Sequence, residues 1–133
     1  MFAFGAVIVA RLGPVGAIAA SAVAGVLRWG VMIADPVGPL LWTAQTLHIV
    51  TYAVGHLGAI AFLAEAVDER LASTAQGLFG AAFGGLLSAA AMLIAAQLYP
   101  VMGGLTYGVA MGMSVIGLVS AALLARIWRG GAI

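Results

Sequence analysis

Long apolar runs, separated by short groups of charged or turn-forming residues, organise the chain. Between Arg11 and Asp35 the only ionisable side chain is Arg28, and residues 36–64 contain no acid or base except two histidines. Residues 71–125 carry no charge at all. About 20 apolar residues form a helix that crosses a hydrocarbon layer of about 30 Å, so each run is long enough to span a membrane.

The last of these runs is too long for one crossing. Gln97, Tyr99, Pro100 and the pair Gly103-Gly104 interrupt it with residues that favour turns. The pattern therefore predicts four transmembrane helices, near residues 13–34, 39–64, 72–98 and 104–127. The fold class that we expect is all-α, a polytopic transmembrane helical bundle, because a membrane β-barrel needs an alternation of period two that this sequence lacks.

Residues 1–10 are apolar but too few to cross the bilayer. They lack the cationic start and small-residue cleavage site of a secretory signal. One interpretation is a short remnant formed by the last turns of a helix. The alternative is an ordinary N-terminus lying at the membrane interface.

Composition excludes several classes of function. Hydrophobic residues make up 65% of the chain and charged residues 7%, against about 25% charged residues in a soluble domain. A net charge of only +1 provides no basic surface for nucleic acid. We predict neither an enzyme nor a cofactor or metal site, because cysteine is absent and no carboxylate pair or Ser/His/Asp set is found at membrane depth.

The arginines predict the orientation. With four crossings, Arg11, Arg70, Arg126 and Arg129 fall on one side of the bilayer, and no loop cation falls on the other. Because positively charged loops stay inside, we expect the first side to be cytoplasmic and both termini to face the cytoplasm.

Small residues recur at every fourth position in two rows that we expect to be helix contact faces. Backbones in a bilayer approach each other through such residues. Chance repeats are also frequent in a chain with 19 glycines. The rows are Gly80, Gly84 and Ser88, and Gly104, Gly108 and Gly112.

Arg28 is the one charge within a predicted span. It lies about 10 Å below the helix end if Asp35 marks the surface, at 1.5 Å per residue. Burial of an unpaired guanidinium there costs at least about 2.5 kcal/mol on insertion scales. Two interpretations stay open: the side chain extends to the outer headgroups, or it faces a wet cavity and binds an anionic or hydroxyl-bearing ligand.

A polar stripe on the second helix favours the cavity. At 100° per residue, five positions share one face about 100° wide. On the first helix, Ser21 and Gly25 share a face with Arg28, so the two faces can meet. His48 lies about 14 Å below the start of its helix, close to the level of Arg28. The stripe consists of Gln45, His48, Tyr52, Gly55 and His56.

The order of these residues resembles the C-terminal part of a major facilitator superfamily (MFS) transporter. The branch that it is most similar to holds the phenylpropionate permease-like proteins and, more distantly, lactose permease and its oligosaccharide:proton symporter relatives. The resemblance covers nearly the whole chain, and we assign residues 1–133 to one transporter segment. It is carried by Arg28-Trp29, Gln45-Thr46-Leu47-His48, Glu65, Asp68-Glu69-Arg70, Thr74-Ala75-Gln76-Gly77-Leu78, Gly84-Gly85, and Leu98-Tyr99 ahead of Gly103-Gly104.

The resemblance implies the end of the eighth and the ninth to twelfth spans of a twelve-span transporter. It would move a small organic anion or sugar across the bacterial inner membrane. Arg28, Gln45, His48 and Tyr52 are the expected substrate-binding residues, and Arg28 and His48 match positions that take part in proton coupling. Where the lactose permease relatives have a lysine three positions before the histidine and a glutamate three after, this chain has Gln45 and Thr51.

The resemblance also implies partners, namely helices one to eight of the same transporter or a split partner chain, besides lipid and the substrate. We expect a chain of four spans not to transport alone. Asp68, Glu69 and Arg70 have two interpretations, a solvated turn or a cytoplasmic gate between domains. The rival interpretation of the whole chain is a non-transporting four-helix protein that acts in membrane structure or assembly.

Overall fold

The computed structural model describes residues 2–131, with side chains from residue 5 onward, and this part of the chain is helical with no strand. The predicted all-α class is therefore confirmed. We call the helical regions α1 to α4. Helix α1 is Phe2–Ile33, α2 is Pro39–Ala66, α3 covers residues 72–102, and α4 is Tyr107–Ile127, with a 3-10 turn, Gly103–Thr106, between α3 and α4.

Three helical stretches are long and apolar enough to cross a membrane. They are Gly5–Ile33, Pro39–Ala66 and Ala72–Ile127, the last being 56 residues long. The membrane-helix character of the chain thus agrees with the sequence pattern. Four separate crossings remain a prediction, as does membership of an MFS fold.

The break in α1 occurs at Gly13, close to the predicted start of the first span. Its backbone angles, φ 70° and ψ 171°, are accessible essentially only to glycine, and Pro14 follows, with its φ already suited to the first turn of a helix. Gly5 lies against Ala53, whereas Pro14 lies against Gly58. Residue 58 lies further along α2 than residue 53, so the chain reverses at Gly13. Residues 2–12 are helical, in agreement with the first of the two interpretations of residues 1–10; Met1 lies outside the described residues.

The turn between α3 and α4 also depends on a glycine. Gly103 has φ 54° and ψ −136° and ends the helix Ser88–Met102. The sequence placed this end at residue 98, but Pro100 lies in the last turn of the helix, where its missing N–H leaves only one carbonyl group without its helical partner. The next helix begins at Tyr107 rather than at residue 104, because residues 103–106 form the tighter 3-10 turn.

The core of the bundle is built on α1. This helix packs along α2 and α4, and its contact face is made of small residues. Ala17 and Ala24 are buried on α1, as are Ala53 and Val54 on α2. Small side chains let the backbones approach, as expected for helices in lipid.

Helix α3 is packed differently from the others. Every residue from 80 to 94 is exposed, although this stretch is strongly apolar. Its contacts with the bundle lie toward its two ends, at His56–Phe79 and at Tyr99–Tyr107. A gap consequently separates the middle of α3 from α1 and α4.

The turns alternate between two ends of the molecule. At one end, Gly104 lies against the Ile33 carbonyl group and the Asp35 carboxylate, which joins the turn after α1 to the turn after α3. At the other end, the rings of Phe62 and Trp128 meet edge to face at 5.0 Å. The candidate functional residues lie between these two ends.

Candidate functional site: a guanidinium beside a polar helix face

Arg28 is half-buried near the end of α1 and packs on an aromatic surface. Its Cζ atom lies 4.1 Å from the centre of the Trp29 ring, a separation at which a cation is attracted to the face of an indole. The Trp29 ring stacks on Tyr107 with 5.7 Å between centroids, and Tyr107 meets Tyr99 edge to face. Aromatic rings from three helices therefore form a connected row that starts at the guanidinium.

The Nε atom of Arg28 is buried and makes no hydrogen bond to any described residue. Guanidinium N–H groups form a planar fork that matches carboxylate oxygens and other paired acceptors. A buried donor without an acceptor is costly. Arg28 thus has hydrogen-bonding capacity that the described chain does not use.

An aromatic ladder follows the face of α2 that the sequence identified. The rings of His48 and Tyr52 are 6.0 Å apart, and those of Tyr52 and His56 are 6.1 Å apart and nearly parallel. The ladder crosses to α3 through Phe79, 6.1 Å from His56, and continues to Phe83 at 5.5 Å. Its spacing of four residues on α2 places successive rings on one side of the helix.

The predicted stripe divides into two parts. Gly55 contacts Ser21 of α1, and the Ser21 hydroxyl donates a hydrogen bond of 2.9 Å to the Thr51 carbonyl group. A Cβ on Gly25 would lie 3.9 Å from the Thr51 methyl group. The faces of α1 and α2 therefore do meet, at Ser21, Gly25, Thr51 and Gly55.

The larger polar side chains of the stripe point elsewhere. Gln45, His48 and Tyr52 are exposed, and His56 is half-buried. The side chains of Gln45 and Tyr52 make no hydrogen bond to any described residue. Three of the four predicted substrate-binding residues are therefore exposed on α2, whereas the fourth, Arg28, is half-buried on α1.

A π-helical segment, Val50–Val54, lies in the middle of the stripe. A π turn is wider than an α turn, so the residues on either side of it are rotated relative to the angle of 100° per residue that the prediction used. Within the segment, the Thr51 hydroxyl donates to the His48 carbonyl group at 2.9 Å. In the sequence, the one local feature that favours a π segment here is Thr51, because its hydroxyl can donate a hydrogen bond to a nearby backbone carbonyl group.

A second π segment, Gly80–Leu87, lies in the middle of α3. The Ser88 hydroxyl donates to the carbonyl group of Phe83, five residues earlier, at 2.9 Å. Segments of this kind are rare and are found often at functional sites. The sequence analysis missed both, although the glycines at positions 80, 84 and 85 favour local backbone variation.

The two predicted rows of small residues have different surroundings. Gly104 approaches the backbone of α1 closely, because a Cβ there would lie 2.6 Å from the Ile33 carbonyl oxygen. A Cβ on Gly108 would lie 3.9 Å from Ile33, an ordinary contact. A Cβ on Gly80, Gly84 or Gly112 would meet nothing within 4 Å. No helix of the described chain covers those positions, and Ser88 is exposed beside them.

The charged turn after α2 is exposed. The Arg70 backbone N–H donates to the Asp68 carboxylate at 2.9 Å, which stabilises the turn locally. The side chains of Asp68, Glu69 and Arg70 are exposed, and among the described residues none of them forms an ion pair. A solvated turn explains this geometry without further contacts, and the role as a gate remains a prediction.

Comparisons of the chain with protein-family models, with curated proteins and with solved structures find no match. Membership of the MFS is therefore a prediction from the sequence motifs alone.

Proposed function

We propose that this chain is part of a secondary transporter of the MFS type that moves a small organic solute, an organic anion or a sugar, across the bacterial inner membrane. The observation that carries the proposal is the buried Nε atom of Arg28, which no described residue bonds. Ionisable groups at membrane depth are expensive and usually mark a pathway for a substrate or a proton. His48 lies in the helix that follows, on its polar face.

Each residue has a role in this proposal. Arg28 binds an anionic or hydroxyl oxygen of the substrate through its guanidinium fork. Gln45 and Tyr52 offer an amide and a phenol for further hydrogen bonds. His48 takes up and releases the proton in a symport cycle, because imidazole changes charge near neutral pH. Asp68, Glu69 and Arg70 have the weaker role of a cytoplasmic gate.

The proposed transporter needs more helices than α1 to α4. Secondary transporters of this kind place the substrate between two repeats that rock against each other. The exposure of α3 from residue 80 to residue 94 supports such a partner, since an apolar helix with a row of small residues suits contact with another helix. The partner helices belong to the same transporter or to a split partner chain.

The second candidate is a non-transporting protein that acts in membrane structure or assembly. The open face of α3 favours it as well, because that face serves equally for docking to another membrane protein. In this case the aromatic ladder on α2 only packs between helices and binds no substrate. The two candidates differ in whether water reaches the polar face of α2 from both sides of the membrane.

Cysteine accessibility separates the two candidates, and the chain has no native cysteine to interfere. We would introduce Gln45→Cys and His48→Cys singly and treat native membrane vesicles of both orientations with a membrane-impermeant thiol reagent. Leu47→Cys is the matched control, because Leu47 neighbours His48 and lies well outside the polar stripe at 100° per residue.

A transporter exposes its central site alternately to the two sides. We therefore expect the cysteines at positions 45 and 48 to react in right-side-out and in inside-out vesicles, and the cysteine at position 47 to react in neither. A structural protein predicts that all three stay unreactive. Reaction from one side only would show a wet cleft without alternation and would count against transport.

A further inference from the structure

A cavity of about 350 Å³ lies in the gap between α3 and α4, with Trp29 of α1 in its wall. Its volume is within the range of about 300–1,000 Å³ that is typical of small-molecule sites. Trp29 and Tyr107 supply aromatic surface, Ala91 and Ala95 leave space on α3, and Met113 supplies a flexible thioether. The part of the wall that the described residues form contains no charged side chain.

One polar group in this wall has no partner within the described chain. The side chain of Thr106 is only 5% exposed, and its hydroxyl oxygen makes no hydrogen bond to any described residue. Buried hydroxyl groups are normally bonded, because leaving one unmatched is costly. Thr106 lines the cavity, so a molecule bound there can satisfy the hydroxyl.

The neighbouring hydroxyl groups differ from Thr106 in this respect. A second cavity of about 370 Å³ shares Trp29 and Met113 with the first and includes Ser88 and Ser114 in its wall. The Ser88 hydroxyl donates to the Phe83 carbonyl group at 2.9 Å, and the Ser114 hydroxyl donates to the Ala110 carbonyl group at 3.0 Å. Of these three hydroxyls, only that of Thr106 is available in full to a ligand.

We propose that the cavity binds a small, uncharged, hydrophobic molecule that carries one hydroxyl or carbonyl group, with that group hydrogen-bonded to Thr106. The apolar wall accepts the body of the molecule, and a lining without charged side chains among the described residues disfavours an ion. This site is separate from the stripe on α2 and does not depend on the transport proposal. Two sources share this chemistry, a free hydrophobic alcohol or ketone and the ester carbonyl region of a membrane lipid.

Quenching of Trp29 fluorescence tests the site. Trp42→Phe and Trp128→Phe leave Trp29 as the single tryptophan of the full chain. In detergent micelles, this variant is titrated with 4-bromobenzyl alcohol and with 4-bromotoluene, which share a brominated ring and differ in the hydroxyl. Thr106→Val removes the protein hydroxyl at nearly constant volume, and Ser114→Ala is the control for a hydroxyl that is already bonded.

We expect Thr106→Val to weaken the binding of the alcohol about threefold to tenfold, the usual effect of one hydrogen bond. The same change should leave the affinity for 4-bromotoluene unaltered, and Ser114→Ala should alter the affinity for neither probe. Far-UV circular dichroism verifies that each variant is folded. Equal affinities of the alcohol for the protein with and without Thr106→Val would overturn the proposal, as would an absence of saturable quenching by either probe.

The two sources are distinguished in nanodiscs that contain phosphatidylcholine with brominated chains. If a free molecule is the natural occupant, benzyl alcohol relieves the quenching of Trp29 by lipid in the protein that keeps Thr106 but not in Thr106→Val. If lipid is the occupant, benzyl alcohol has no effect and Thr106→Val itself lowers the quenching. Quenching that responds to neither change would contradict the proposal.

Discussion

At the scale of single residues, close contacts between helices depend on positions that carry little or no side chain. Gly104 lets the turn after α3 pack closely against the end of α1. In the same turn, a Cβ built on Gly103 would lie 3.8 Å from the Asp35 carboxylate. Ser21 and Gly55 allow a similarly close contact between α1 and α2. A change of one methyl group is therefore expected to matter at some glycines and not at others.

Gly104→Ala should destabilise the protein by about 1–3 kcal/mol, the usual cost of overpacking. The added Cβ would lie 2.6 Å from the Ile33 carbonyl oxygen, which is backbone and cannot rotate away. The measurement is the free energy of unfolding in detergent micelles, from titration with dodecyl sulfate followed by tryptophan fluorescence. Gly112→Ala is the control, because its Cβ meets nothing within 4 Å; equal effects at positions 104 and 112 would contradict the contact.

Part of the candidate site follows from residue spacing, and part does not. The spacing correctly placed Ser21 and Gly25 toward Gly55 of the stripe, and Thr51 joins this contact. The exposure of Gln45 and Tyr52 depends on which helices cover that side of α2, and residue spacing alone does not determine this. The stacking of Trp29 on Tyr107 depends on how α1 and α4 pack, which no local pattern contains.

At the scale of elements, the helix boundaries depend on glycine and proline. Pro39 opens α2 directly after Gly38, whose φ is 58°. Gly13 and Pro14 act together in α1, where the first reverses the chain and the second starts the next helix. These boundaries are predictable from sequence because they are local, whereas the end of α3 at Met102 depends on how far a helix tolerates Pro100.

Gly13→Ala should detach residues 2–12 from α2. The backbone at Gly13 lies in a region that costs other residues about 1–3 kcal/mol, so alanine favours a different path for the chain. The measurement is formation of a disulfide between cysteines introduced at Gly5 and Leu57, where a Cβ on Gly5 would lie 2.8 Å from the Leu57 side chain.

The control for this change is Gly30→Ala, since Gly30 is helical and its Cβ would make an ordinary contact of 3.7 Å with Met111. The disulfide should form readily with alanine at position 30 and poorly with alanine at position 13. If alanine at position 13 leaves the yield of disulfide unchanged, the reversal does not depend on the glycine.

At the scale of the whole molecule, charge is distributed unequally between the two ends. Arg70 follows α2, and Arg126 and Arg129 lie where Trp128 meets Phe62 of α2. Arg11 lies at the same end, because the chain reverses at Gly13 and the next residue, Pro14, lies against Gly58 in the last part of α2. Asp35 lies at the opposite end beside Gly104. Because such an excess of arginine normally stays on the cytoplasmic side, we expect the arginine-rich end to face the cytoplasm.

Labelling of single cysteines in intact cells tests this orientation together with the number of crossings. Val37, 82% exposed in the turn after α1, and Val101, 87% exposed at the end of α3, lie toward the end whose turns lack arginine. Val37→Cys and Val101→Cys should react with an impermeant maleimide from outside the cell, whereas Glu69→Cys should react only after the membrane is permeabilised. Labelling of position 37 without position 101 would mean that residues 72–127 do not form two crossings, because the turn at Gly103 would then stay inside the bilayer or on the cytoplasmic side. If only position 69 were labelled in intact cells, the predicted orientation would be wrong. The cluster of arginines would then lie outside the cell, contrary to the usual preference of positively charged loops for the cytoplasmic side.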